Sequence, residues 1–215
     1  MKEAWDLVSR REISEPTQHR PPVPEGLVFA MCVLAWQLNW FSWVGSTLLS
    51  FYGAGLIGEI LRCSRGDLPF GEMTHTAFLK FRRFKSLGRQ PSKIQHMKVQ
   101  DVQAVRVLEI IYRDLASEAM LYGASPAVFR RRWDDLLHLL GVELPHIRLT
   151  PGVLRGGSAV LLWEMRLRQQ STLESYLQET GAIGILRDLP RDVRSRLSTL
   201  KEMFRFLRFG SPGAP

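Results

Sequence analysis

The sequence predicts a mainly α-helical fold of the α+β kind: a helical core with a small three-stranded antiparallel sheet at one edge. Three observations lead there. Most segments repeat apolar residues at helical spacing. Ser-Pro and Thr-Pro pairs open such segments and glycines close them. One stretch, residues 76–99, instead alternates at period two and is dense in Lys and Arg. With 215 residues, of which 45% are hydrophobic, the chain is long enough to bury one core.

The first helical segments lie between Glu25 and Glu59, where there is no charged residue at all. Such a run resembles a membrane span. It is, however, interrupted by Gln37, Asn39, Ser42, Gly45, Ser46 and Ser50. Its three tryptophans, Trp36, Trp40 and Trp43, sit in the middle and not at two interfaces. Two buried helices, Leu27–Leu38 and Phe41–Tyr52, account for it better. A membrane-associated protein anchored by residues 26–58 is the competing reading, and no membrane partner is expected.

Residues 58–68 read as a helix end followed by a turn. Thr76–Phe84 and Lys93–Val99 then form the two arms of a basic hairpin, with a turn near Ser86-Leu87-Gly88-Arg89. Val102, Val105, Leu108, Ile111 and Leu115 mark a helix over residues 102–117. Ser125-Pro126 starts another, which carries Phe129, Trp133, Leu136, Leu137 and Leu140 and stops at Gly141. Thr150-Pro151 is a third start. A short helix over 171–180 and a basic amphipathic helix over 191–207 follow.

Lys and Arg number 29 against 21 Asp and Glu, a formal charge of +8, and the pI is near 10. That excess favours an acidic partner. The two cysteines, Cys32 and Cys63, form no C-x-x-C pair, so neither a disulfide framework nor a zinc site is expected, and a reducing compartment is the default. His75, His96, His138 and His146 lack a second ligand at helical spacing, and no metal is expected.

Five segments, in order, carry a family likeness. They are Phe51-Tyr52-Gly53-Ala54-Gly55-Leu56-Ile57-Gly58-Glu59-Ile60-Leu61, the basic hairpin Leu79–Val99, Ser125–Trp133, Leu149–Ala159 with its Arg155-Gly156-Gly157, and Thr172-Leu173-Glu174-Ser175-Tyr176-Leu177-Gln178. Over residues 26–185 the chain resembles the catalytic domain of tyrosine recombinases, the phage-integrase-like enzymes that break and rejoin DNA. The likeness implies a first-arginine box, a β2–β3 hairpin, an H-x-x-R-G-G-x-A box and a tyrosine box. It divides the chain into residues 1–25, a linker or N-terminal remnant, residues 26–190, the catalytic-like domain, and residues 191–215, a basic helix and tail.

The implied chemistry needs these residue types. A tyrosine oxygen attacks the scissile phosphodiester and leaves a 3′-phosphotyrosyl link and a free 5′-hydroxyl. Arginines brace the non-bridging oxygens, and a lysine protonates the leaving oxygen. Bond energy is conserved in the covalent link, so no cofactor is expected. By the resemblance, Tyr176 is the nucleophile, Arg155 the second arginine and Lys85 the hairpin lysine. Phosphate contacts fall to Arg82, Arg83, Arg89, Lys93, Lys98, Arg130, Arg131 and Arg132. Plainer roles are open to each: a core tyrosine, a surface ion pair, one more solvated charge.

Three positions depart from the pattern. Leu56 stands where the first arginine belongs, Gly152 where a histidine belongs and Leu167 where a histidine or tryptophan belongs, with Arg62 or Arg166 as nearby substitutes. The expected function is therefore DNA binding with weakened strand cleavage and rejoining, or, alternatively, binding by a catalytically inactive remnant of the same fold. The expected partner is double-stranded DNA, with a possible homo-oligomer on it, inside the cell where DNA lies (nucleus or nucleoid).

Overall fold

The computed structural model describes residues 22–71, 75–81, 95–142, 149–157, 185 and 188–206. It is mainly helical with one three-stranded antiparallel sheet. The uncharged run forms two helices, α1 over Glu25–Gln37 and α2 over Phe41–Tyr52. Asn39 turns the chain between them in the left-handed region, at φ 60°, a conformation that asparagine tolerates better than most residues. Helix α1 is apolar on every side because it is covered on every side. Leu27 through Val33 are all buried, and α2, the 126–139 helix and the C-terminal helix pack against it. Among the described residues no helix is long and apolar enough to cross a membrane.

A one-turn helix α3, Ile57–Ile60, and a 3₁₀ turn, Arg65–Asp67, lead into the sheet. Strand β1 is only Phe70–Gly71. It pairs with β2, Thr76–Phe81, which pairs with β3, Gln95–Val99. The alternation read from the sequence sets the faces. Ala77, Leu79, Phe81, Met97 and Val99 are buried. Phe78 and Lys80 sit opposite Lys98 and His96 on the other face. Both expected hairpin arms are strands as far as they are described, and what lies between Phe81 and Gln95 is outside the described residues.

Helix α4, Val102–Tyr112, is capped by the Asp101 side chain, which accepts from the Ala104 amide at 2.7 Å. The apolar spacing suggested a helix reaching residue 117, but α4 ends at Tyr112. The Tyr112 carbonyl accepts from Arg65 Nε at 2.7 Å and from the Leu115 amide at 3.3 Å, a turn and not a further α-helical step. Leu115 is left exposed. A guanidinium from a distant segment thus ends the helix, a contact that local periodicity cannot contain.

Helix α5, Pro126–Leu139, begins at the Ser125 cap with proline in the first turn and ends before Gly141, at φ 68°. An aromatic cluster locks it to α2. Trp43 stacks on Phe129 at 5.3 Å and donates its indole N–H to the Phe129 carbonyl at 3.3 Å. Trp133 lies beside Trp43 and donates to the Leu149 carbonyl at 3.2 Å. The C-terminal helix α6, Arg191–Phe206, buries Val193 and Leu197 along α1 and so belongs to the core.

Candidate functional site

Two segments far apart in sequence meet in one cleft of about 360 Å³. Its walls are Ser50, Gly55, Leu56, Ile57, Gly58, Glu59 and Arg62 from one side and Pro151, Gly152 and Arg155 from the other. The first wall is held by its backbone. The Ser50 hydroxyl, buried at the end of α2, donates to the Gly55 carbonyl at 2.8 Å. Ala54 bends the chain at φ 53°, an uncommon conformation for a residue with a Cβ. A Cβ on Gly55 would lie 2.7 Å from Met97 Sδ, so the turn seats closely on β3 and a side chain there would have to displace the Met97 thioether.

The second wall is a 3₁₀ turn, Pro151–Val153, running into a helical turn over residues 154–157. Thr150 takes the N-cap position as its sequence suggested, but its hydroxyl makes no capping bond and is buried without a partner among the described residues. Gly156 and Gly157 press this turn onto the segment that enters α1. A Cβ on Gly157 would stand 2.5 Å from the Val23 carbonyl oxygen and 2.6 Å from Phe51, and Pro22 lies under Gly156. Pro22, Val23 and Pro24 are all buried. This strap forms the back of the turn that carries Arg155.

Leu56 is 39% exposed and lines the cleft. Gly152 and Arg155 are exposed on the facing wall. Arg62 and Arg155 make no hydrogen bond or ion pair with any described residue. With Glu59, the described residues lining the cleft carry two positive charges and one negative. Such a pocket suits an anion with a planar or tetrahedral oxygen array.

The remaining basic residues from the sequence are dispersed. Lys98 is exposed on the outer face of the sheet, its ammonium 5.8 Å from the centre of the Phe78 ring. Arg130 is bonded to Asp134 at 2.8 Å, and Arg132 lies over the Trp40 ring at 4.8 Å. Arg131 is exposed and has no partner among the described residues. Arg82, Arg83, Lys85, Arg89, Lys93 and Tyr176 lie outside the described residues, as do Arg166 and Leu167.

Three tyrosines are described, and each is engaged elsewhere. Tyr112 is fully buried and donates to the Ser42 carbonyl at 3.3 Å. Tyr52 donates to Glu25 Oε1 at 3.1 Å, and Tyr122 is buried edge-on to Phe129. Burial pushes all three phenols above their ordinary value, with Arg132 partly opposing the shift at Tyr122. None is poised to become a phenolate. No three His, Cys, Asp or Glu residues among those described could together hold a metal ion.

Sequence reasoning did not anticipate Ser50, Glu59 or the strap at Val23. The glycine-rich run at residues 53–58 was the one local signal for the first wall, and Gly156-Gly157 for the second. Compared with known protein families, curated proteins and solved structures, the chain matches none, so what the cleft does has to be argued from its own residues.

Proposed function

We propose that the chain binds duplex DNA in the manner of a tyrosine recombinase and retains weak strand cleavage and rejoining. The observation that carries this reading is the meeting of Leu56, Gly152 and Arg155 in one cleft. These are the positions where the resemblance puts the first arginine, the histidine and the second arginine. A chance likeness in two separate segments gives no reason for their residues to share a pocket.

In the proposed reaction Arg155 neutralises a non-bridging phosphate oxygen. The Tyr176 oxygen gives up its proton to solvent and forms the new bond to phosphorus as the bond to the 5′ oxygen breaks, and Lys85 supplies the proton that makes the leaving oxygen a 5′-hydroxyl. Rejoining runs the same steps backwards. Leu56 cannot donate to the phosphate, and Gly152 cannot move a proton. Losing one preorganised donor costs roughly 2.7–4 kcal/mol, about 10²–10³ in rate. Losses within one catalytic unit do not add simply.

A catalytically inactive DNA-binding remnant is the second reading, favoured by the apolar Leu56 surface open to the cleft. Nicked duplexes that trap a covalent intermediate separate the two. Weak cleavage predicts a protein–DNA adduct that disappears in Tyr176→Phe while binding persists. Salt-sensitive binding with no adduct in the wild type selects the remnant. Absence of DNA binding at low salt defeats both.

A further inference from the structure

Several arginines whose surroundings are described are already committed within the protein. Arg65 donates Nε to the Tyr112 carbonyl and NH1 to the Leu68 carbonyl, both at 2.7 Å. Arg113 pairs with Glu109, Arg130 with Asp134 and Arg196 with Asp192. Arg132 is taken by Trp40. Arg62, only three residues before Arg65, is exposed, unpartnered among the described residues, and lines the same cleft as the equally unpartnered Arg155. Two guanidiniums of like charge gain nothing from sharing a pocket unless an anion joins them.

Other donors are scarce in that pocket. The Ser50 hydroxyl is spent on the Gly55 carbonyl. Helix α3 has four residues and offers no extended helix terminus. The surfaces of Leu56, Ile57 and Pro151 are apolar and displace water beside the charges, which strengthens a charge-assisted hydrogen bond.

We infer that Arg62 binds the same phosphodiester as Arg155 and supplies from a new position the positive charge that Leu56 lacks. The inference rests on the DNA-binding reading of the cleft. Arg62 and Arg155, one on each wall, can each donate to one of the two non-bridging oxygens of a phosphodiester. Arg62 reaches the cleft from the residues following α3, so the phosphate is gripped from both walls, by Arg62 on one and Arg155 on the other.

The test is duplex-DNA affinity as a function of salt, for the full chain and for Arg62→Gln, Arg155→Gln, the double variant and Arg131→Gln. Both cleft side chains are exposed and, among the described residues, unpartnered, so thermal melting should stay at the wild-type value and confirm that the variants fold. Each single cleft variant is expected to weaken binding roughly tenfold or more and to flatten the log K against log salt slope by about 0.9. The double variant should lose less than the sum of the two, because both arginines hold one phosphate. Arg131→Gln should instead add independently to either. If Arg62→Gln keeps wild-type affinity and slope while Arg155→Gln loses both, the inference is wrong and the cleft reading stands. A loss at Arg62 that is fully additive with Arg155 also overturns it, since the two would then touch different phosphates. If DNA binds but neither cleft variant changes anything, the cleft is not the DNA site and both readings fall.

Discussion

Tyr112 shows what a single buried hydroxyl does to this fold. It is fully buried, and burial raises its pKa above the ordinary value of about 10. A phenol whose folded pKa is raised contributes stability that is complete below the unfolded value. That stability is lost as pH climbs from about 10 toward the folded value, because the unfolded chain releases the proton first. Alkaline unfolding is therefore expected to begin near pH 10, and Tyr112→Phe should move its midpoint upward while lowering stability at neutral pH by about 1 kcal/mol for the lost bond to Ser42. A circular-dichroism pH titration of both proteins checks this, and an unchanged alkaline midpoint would contradict it. Tyr176 is the remaining tyrosine, and at residue scale the sequence singled it out only by its neighbours Thr172, Leu173 and Glu174.

Two helix starts that look alike in sequence behave differently as elements. Ser125-Pro126 and Thr150-Pro151 both place a hydroxyl before a proline. Ser125 Oγ accepts from the Val128 amide at 3.3 Å, whereas the Thr150 hydroxyl has no partner among the described residues. Ser125→Ala is thus expected to cost about 1 kcal/mol, while Thr150→Val should be neutral or stabilising because it removes an unsatisfied buried group. Urea melts of the two variants would show it, and equal losses would refute it. The contrast marks how far the sequence could be read. Helices α1, α2 and α5 were legible because their apolar spacing and punctuation are local. The end of α4 was not, because it depends on Arg65. Strand β1 was not, because two residues carry no period. The cleft was half legible: Leu56, Gly152 and Arg155 could be named, but Glu59 and Ser50 join them only through the turn at residues 53–55.

Over the whole molecule, the C-terminal helix closes the core. Helix α6 covers α1, whose own sequence is apolar on every side and has no polar face to offer water. Ending the chain at residue 190 would uncover that surface. Such a truncation is expected to lower the melting temperature sharply and to make the protein bind hydrophobic dyes and aggregate, even though the deleted segment is rich in charge. A truncated chain that melts with wild-type cooperativity would show that α6 is an appendage. The formal charge of +8 acts at this same scale, as a field that draws polyanions without choosing among sequences.

The strap at Pro22–Pro24 has a mechanical consequence. The chain meets the hydrophobic core at Val23. It passes beneath Gly156 and Gly157, with the Val23 carbonyl wedged where a side chain on Gly157 would have to go. Tension applied through the N-terminal peptide is therefore delivered to the turn that aims Arg155 before it loads α1. A pull of that kind would slacken one jaw of the cleft while the aromatic clasp between Trp43, Phe129 and Trp133 still held the body of the protein together.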